Sequence, residues 1–173
     1  MRGLGRCLAP LVFLATPAVA EDFDPASLDL AALIECRADV PAYNGFGFWL
    51  AGEPGAAERL GWKEVAAGNP FLIQYELPTK IRVFGRETAS IVLTATGPMA
   101  VFEGVAAPDL ARELDVPATV STPDKFLGEK IIVESTEDAS GVNLATRITL
   151  NVSTVESHPG KTLAGCSYAL DVK

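Results

Sequence analysis

The clearest pattern in the chain is an alternation of apolar and polar residues in its final third. Apolar or β-branched side chains occupy every second position from Val142 to Val152, and polar or small ones lie between them. A period of two predicts a strand with one face in the core and the other in water. Segments 71–77 and 166–172 alternate in the same way. These patterns predict antiparallel strands whose inner faces share one core.

Helical spacing replaces this alternation in three places. Asp24-Pro25 is typical of a helix start, because an N-cap side chain precedes a proline that fits the first turn. Apolar positions three and four apart continue this segment to about Ala38, and Pro41 is expected to end it. Two further short helices are predicted over residues 54–60 and 108–116.

The fold class predicted from these elements is α+β. We expect an antiparallel sheet of about six or seven strands, with two or three short helices on one face and a polar opposite face. Weak similarity at offsets of 54 to 57 residues also suggests a degenerate tandem helix-plus-sheet repeat. The similar segments are Ala57–Leu60 and Ala111–Leu114, Asn69–Leu72 and Asp124–Leu127, and Ile91 and Ile148. Coincidence among common residues is the alternative explanation.

The first twenty residues have the layout of a secretory signal peptide. Arg2 and Arg6 precede an apolar stretch over residues 8–14, and Ala18-Val19-Ala20 is a small-residue cleavage site before Glu21. The apolar run is shorter than the roughly 20 residues that span a membrane. We therefore predict cleavage after Ala20, no transmembrane segment after cleavage, a single α+β domain over 21–173, and a periplasmic or secreted location.

Charge and composition exclude one class of partner. The 173 residues include 14 Lys and Arg against 22 Asp and Glu, for a net charge of −8. A protein that binds nucleic acid needs a basic face to neutralise phosphates, and this chain has too few cations to build one. The 49% of hydrophobic residues and 21% of charged residues are ordinary for a folded globular domain.

Two cysteines remain after the predicted cleavage site, Cys36 and Cys166. An even number of cysteines in an exported chain predicts a disulfide. Helical spacing places Cys36 on the apolar face of the first helix, and strand parity places Cys166 on the inner face of the last strand. Both side chains are thus expected at one interface. Two buried free thiols are the alternative.

The densest aromatic cluster spans residues 43–49 and contains two glycines. It provides the candidate ligand-binding residues, which are Tyr43, Phe46, Phe48, Trp49 and Trp62. One interpretation is an aromatic platform for a sugar, lipid or peptide. The other is that these rings cap one end of the core, which is the more frequent role of large aromatics.

Catalytic and metal-binding motifs are not found. His158 is the only histidine, lies in a predicted turn beside Ser157, and is expected to be solvated or hydrogen-bonded there. No nucleophile motif accompanies it. Gly160-Lys161-Thr162 lacks the glycine that a phosphate loop needs at position 155, and one histidine cannot build a zinc site. We predict no catalytic residue, no metal and no cofactor.

The function predicted from the sequence is an exported, non-catalytic binding or envelope-associated protein. Its partner would be an unidentified protein or envelope ligand, held by the open sheet face or by the aromatic segment 43–49. The alternative is a small exported hydrolase that uses His158 or a pair of carboxylates. Convergence of histidine or acidic side chains in one concave pocket is the feature that would favour the hydrolase.

Overall fold

The computed structural model describes residues 23–139 and 141–172, so the predicted signal peptide and Glu21 lie outside the described residues. It shows an α+β fold with one antiparallel sheet of eight strands. The strands are β1 Lys63–Val65, β2 Ile73–Val83, β3 Arg86–Leu93, β4 Pro98–Glu103, β5 Ala118–Ser121, β6 Phe126–Ala139, β7 Val142–Ser153 and β8 Lys161–Val172. The helices are α1 Leu30–Ile34, α2 Val40–Gly52, α3 Ala56–Arg59 and α4 Ala107–Glu113, and a 3₁₀ turn spans Pro25–Ser27. None of these helices is long and apolar enough to cross a membrane.

The sheet has more strands than the six or seven predicted, because two short edge strands escape the pattern. β1 has three residues and β5 has four, and their side chains are mostly exposed. Segments this short complete barely one period of alternation, so hydrophobicity does not reveal them. The four α-helices likewise exceed the expected two or three.

The N-terminal helical region differs from the single helix predicted to end at Pro41. It consists of the 3₁₀ turn, α1 and then α2, and Pro41 lies in the first turn of α2. Asp39 is the N-cap of α2, where its carboxylate accepts the Ala42 N–H over 2.8 Å. A proline fits that first turn because the N–H groups there have no helical partner. Pro41, which was predicted to end a helix, therefore lies at the start of one. The aromatic segment 43–49 that follows it is helical.

The strand order β1-β2-β3-β4-β8-β7-β6-β5 has its centre between β4 and β8. Each half of the described chain contains helical structure followed by four consecutive antiparallel strands, and the last strands of the halves pair with each other. Gly97 and Gly165 lie at this central contact. A Cβ atom on Gly97 would overlap the Cys166 carbonyl, and one on Gly165 would overlap the Pro98 carbonyl. Only glycine permits the two strands to lie this close.

The helix ends in the two halves have matching backbone hydrogen bonds. The Trp62 N–H donates to the Ala57 carbonyl over 2.9 Å at the end of α3, and the Val116 N–H donates to the Ala111 carbonyl over 2.8 Å at the end of α4. The residue before each donor has a left-handed φ, 71° at Gly61 and 54° at Asp115. Both helices therefore end in the same Schellman-type turn.

The main core lies between the helices and the sheet. Its fully buried side chains include Ile34 and Phe46 from the helices and Ile91 and Val152 from the sheet. The disulfide between Cys36 and Cys166 has its Cα atoms 5.2 Å apart and confirms the predicted pairing. Cys36 does not lie on a helical face as predicted, because α1 ends at Ile34 and Cys36 follows it with a left-handed φ of 58°.

The opposite sheet face is not wholly polar, contrary to the prediction. A second apolar cluster on that face contains Val92, Met99, Val101 and Leu163. Leu72 and Val155 pack over it from the connections that precede β2 and β8. These two connections fold back across the sheet, so part of the face predicted to be wet is covered.

The far end of β6, β7 and β8 extends past the helices as a three-stranded segment, here called the distal ribbon (residues 131–139, 142–147 and 169–172). The inner parity predicted for β7 holds at its other end, where Ile148 and Leu150 are buried. On the distal ribbon the same face is exposed, as shown by Leu170 at 48% and Val172 at 73%. The alternation of apolar and polar residues correctly predicts which side chains lie on the helix side of the sheet. On the distal ribbon these side chains are exposed, because the helices do not extend over it.

Candidate functional site

A cleft of about 870 Å³ lies where the β7–β8 connection folds beside the connections that precede β2 and β6. Segments 68–70, 105–107, 123–125 and 154–162 form its walls. The charged side chains among them have both signs and are Asp124, Lys125, Glu156 and Lys161. The cleft is thus a concave site whose walls carry both acidic side chains and the single histidine.

His158 forms part of the cleft wall and is buried, with 4% of its surface exposed. Its Nε2 lies 3.1 Å from Oε1 of Gln74 in β2, and its Nδ1 lies 2.9 Å from Oγ of Ser157. The predicted turn is present, because the His158 N–H donates to the Val155 carbonyl and the His158 carbonyl accepts the Lys161 N–H. Of the two environments expected for this histidine, solvated or hydrogen-bonded, the second is the one found.

The orientation of the Gln74 amide favours one tautomer of His158. Gln74 Nε2 donates to Ser90 Oγ over 3.0 Å, which leaves the amide oxygen facing the imidazole. A carbonyl oxygen can only accept, so the imidazole proton is on Nε2. Nδ1 of the neutral ring then accepts the hydroxyl proton of Ser157. A serine hydroxyl that donates to an unprotonated imidazole nitrogen is one element of a serine-hydrolase site.

The surroundings of His158 disfavour its protonated form. Burial lowers the pKa of His158 below its ordinary value, and the nearby Lys161 ammonium lowers it further. Gln74 stands where a catalytic triad has a carboxylate, and a neutral amide does little to stabilise an imidazolium. A general base has to carry the proton in the transition state. The geometry therefore suits His158 to hold the β7–β8 connection against the sheet better than it suits proton transfer.

Two of the aromatic residues predicted to bind a ligand lie in the core. Phe46 and Trp62 are 1% and 7% exposed, and their ring centroids are 6.0 Å apart. The two glycines of segment 43–49 have helical backbone and no left-handed φ. Helical spacing turns successive side chains by about 100°, so the rings of this segment point in different directions rather than onto one surface.

The other three predicted residues have three different environments. Tyr43 stacks on Tyr168 with ring centroids 4.9 Å apart. Trp49 is half-buried, and the guanidinium carbon of Arg59 lies 5.3 Å from its ring centroid. Phe48 is 77% exposed. Of the five candidate residues, Phe48 alone presents most of its ring to solvent, so the geometry does not assemble an aromatic platform.

The exposed apolar side chains cluster instead on the distal ribbon. Six of the large apolar residues exposed in the described ranges belong to it, namely Ile131, Ile132, Val133, Val142, Leu170 and Val172. Ile132 lies at a register shift between β6 and β7, so apolar side chains occur on both sides of this strand. Exposed apolar side chains that gather on one part of a protein are a usual mark of an interaction site.

Along the ribbon, the outer edge of β6 is not paired with any strand that the structure describes. β5 pairs with β6 only over residues 126–128, and no other strand in the described ranges pairs with this edge. Acidic side chains follow the apolar ones along it, at Glu134, Glu137 and Asp138. Arg147 neutralises the first of these through a contact of 2.6 Å. The edge is therefore apolar near the body of the protein and acidic toward the tip.

Comparisons of the chain with protein-family models, with curated proteins and with solved structures find no match. Within residues 23–139 and 141–172, no three histidine, cysteine or acidic side chains are grouped closely enough to hold a metal ion.

Sequence reasoning did not identify two of these features. Gln74 occupies a polar position in an alternating strand, which predicts exposure, and no local signal indicates that His158 will cover it. The sequence of β6 does contain a signal for the ribbon, because three consecutive apolar residues, Ile131-Ile132-Val133, interrupt the alternation of apolar and polar positions. Such a run beside an acidic turn is typical of a strand with apolar groups on both faces.

Proposed function

We propose that this chain is an exported, non-catalytic binding protein that holds a protein or envelope ligand on the distal ribbon. The observation that carries the proposal is the cluster of exposed apolar side chains beside an unpaired strand edge. Folded monomers rarely leave such a surface uncovered, because it also promotes aggregation. A ligand that covers the ribbon would explain why these apolar side chains are exposed in the unbound protein.

The matching part of the first half supports this interpretation. If the chain is a degenerate tandem repeat, the β2–β3 hairpin corresponds to the β6–β7 hairpin. The tip of the β2–β3 hairpin is covered, since Val83 is 0% exposed and the Phe84 N–H donates to the Glu35 carboxylate over 2.7 Å. The corresponding hairpin in the second half is longer, and no helix or loop of the described residues covers its tip. The hairpin of one copy would thus be packed against the body of the protein, while the hairpin of the other presents a binding surface.

Location outside the cytoplasm is part of the same proposal. A disulfide that joins residues 130 positions apart is typical of an oxidising compartment. The signal-peptide pattern of residues 1–20 agrees with it. We propose the periplasm or the extracellular space as the site of action.

Site-specific photo-crosslinking in the native host tests the proposal. A photoreactive amino acid at Asn143, on the exposed ribbon, should give a discrete adduct with the ligand. The same amino acid at Glu87, which is exposed on β3 outside the ribbon, serves as the control. Equal adducts from both positions, or none from Asn143, would contradict the proposed surface.

A paired substitution provides a second measurement. Replacing Ile131 and Val133 by serine should abolish the Asn143 adduct and leave the unfolding temperature nearly unchanged, because both side chains are 40–50% exposed. The matched control replaces Phe48 and Phe71, which are 77% and 83% exposed elsewhere, and should keep the adduct.

A second candidate function is a small exported hydrolase with Ser157 as nucleophile. The hydrogen bond of 2.9 Å from Ser157 to His158, in a cleft that also carries Asp124 and Glu156, supports it. Attack by Ser157 Oγ on a carbonyl carbon would transfer the hydroxyl proton to His158 Nδ1. The neutral Gln74 partner and the nearby Lys161 cation make this the weaker candidate.

Labelling by a fluorophosphonate, which reacts with activated serines, separates the two functions. The binding proposal expects no labelling beyond that of the Ser157→Ala variant. Stoichiometric labelling of the wild-type protein that disappears in Ser157→Ala would establish an activated nucleophile and replace the leading proposal.

A further inference from the structure

The partner that the distal ribbon takes can be specified further, and this inference rests on the proposed function. We infer that the partner adds to the outer edge of β6 as an antiparallel β-strand, with Lys or Arg in its N-terminal half and apolar residues in its C-terminal half. Backbone hydrogen bonds would supply the attachment, and the side chains of β6 would supply the selectivity.

The length and position of the free edge limit what can bind there. The Glu129 N–H still donates to the Pro117 carbonyl over 3.2 Å, and Lys130 Nζ lies 3.0 Å from the Asp115 carboxylate. These contacts close the edge at its inner end, so only residues 131–139 can accept a strand. At about 3.4 Å per residue this segment is roughly 30 Å long, enough for an added strand of about nine residues.

Both faces of the edge have the same order of side chains. On the helix side Val133 comes first and Glu137 follows, because these residues pair with Ile148 and Leu144 of β7. On the opposite side Ile131 comes first, and Glu134 and Asp138 follow. An added strand therefore meets apolar groups near the body and carboxylates near the tip, whichever way each of its side chains points.

A second copy of this chain fits the edge poorly. A symmetric antiparallel pair confined to residues 131–139 would be centred on Ser135. That register sets Ile132 opposite Asp138, and Val133 opposite Glu137, of the other copy. Carboxylates would be desolvated beside apolar side chains with no cation to pair them. The partner must instead carry cations opposite the acidic end.

The direction of the added strand gives the order of residues in it. All strand pairs described for this sheet are antiparallel. An antiparallel addition to β6 brings the N-terminal half of the partner opposite Glu137 and Asp138, and its C-terminal half opposite Ile131 and Val133. An extended basic-then-apolar segment is the chemistry that satisfies both halves.

Two synthetic peptides of about nine residues with blocked ends test the inference. The first alternates lysine with threonine in its N-terminal half and valine with threonine in its C-terminal half. The second has glutamate in place of each lysine. We expect the lysine peptide to bind at least tenfold more tightly at low salt, and added sodium chloride to reduce the difference.

Variants then locate the binding site. Glu137→Lys with Asp138→Lys should weaken the lysine peptide at least tenfold. Glu58→Lys with Glu64→Lys makes the same change in net charge at other exposed positions and should leave binding within about twofold. Hydrogen exchange should slow at the amides of residues 131–138 when the lysine peptide is bound.

Each outcome bears on one proposal. Equal binding of the two peptides, equal loss in the two double variants, or protection away from residues 131–138 would overturn the inferred strand addition. Dimerisation of the protein that requires this edge would overturn it in favour of a second copy. If the peptides fail while the Asn143 crosslink persists, the binding surface stands and the basic strand is refuted. Loss of the crosslink would refute the proposed function itself.

Discussion

Reducing the disulfide between Cys36 and Cys166 should lower the free energy of unfolding by about 5 kcal/mol. The bond closes a loop of 130 residues. For a loop of this length the chain-entropy relation gives about 17 cal/mol/K of entropy removed from the unfolded chain, or about 5 kcal/mol at 25 °C. Folded domains of ordinary stability unfold with about 5–15 kcal/mol in total. The bond should therefore supply a large part of the stability of this domain.

Urea denaturation followed by circular dichroism measures this loss. The oxidised protein, the same protein with a reductant, and the variant Cys36→Ala with Cys166→Ala should be compared by extrapolation to water. The reduced protein keeps the same side chains, so its difference from the oxidised protein isolates the crosslink. The alanine variant also loses two buried sulfur atoms and should be about 1–2 kcal/mol less stable than the reduced protein.

A stability loss much smaller than about 5 kcal/mol would contradict the loop-length explanation. A reduced protein within about 1 kcal/mol of the oxidised protein would show that the unfolded chain is already restricted, or that the crosslink strains the native state by a similar amount. In either case loop length would not explain what this bond contributes.

Three further predictions concern buried groups. Burial and the Lys161 ammonium lower the pKa of His158 in the folded protein, so the unfolded chain binds the imidazole proton more tightly. The stability of the wild-type protein should therefore fall as the pH drops from above 6.5 toward the folded-state pKa of His158. The free energy of unfolding of the His158→Gln variant, measured by urea titration, should fall less than that of the wild type between about pH 7 and 5. Parallel curves of stability against pH for the two proteins would contradict assigning the wild-type loss to His158. Gly97→Ala should cost at least about 3 kcal/mol in thermal unfolding, because the new Cβ overlaps the adjacent strand, whereas Gly52→Ala meets nothing within 4 Å and should cost nothing. Phe46→Ala should cost about 3–5 kcal/mol and Phe48→Ala less than about 0.5 kcal/mol, although both lie on α2, and similar losses would refute the burial argument.

Patterns within short stretches of sequence predicted several features of the fold. The pairing of Cys36 with Cys166 is present, and strand parity correctly placed Cys166 on the inner face of β8. The helical spacing assumed for Cys36 was wrong, because this residue lies beyond the end of α1 with a φ of 58°. The alternation in β7 gave the correct inner face at Ile148. Pro41 was assigned to the wrong end of a helix, because a proline after an aspartate two residues earlier serves equally well as a first-turn residue.

The remaining features depend on contacts between distant segments. Nothing near His158 in the sequence indicates that it will lie against Gln74, because the contact exists only once the β7–β8 connection folds over β2. The exposure of Val172 likewise depends on where the helix layer ends, and periodicity carries no information on that boundary. Periodicity predicts which face a residue occupies, whereas burial depends on what packs against that face.

The central contact between β4 and β8 has a consequence for the timing of biogenesis. Met99 pairs with Gly165, so the middle of the sheet joins segments more than 60 residues apart. Until β8 has been made, β4 is an edge strand that carries Met99 and Val101 unprotected, and Cys36 lacks its disulfide partner Cys166. If the chain is exported as proposed, chaperones that hold it during translocation would bind an apolar strand and a free thiol together, and both would become paired when β8 arrives.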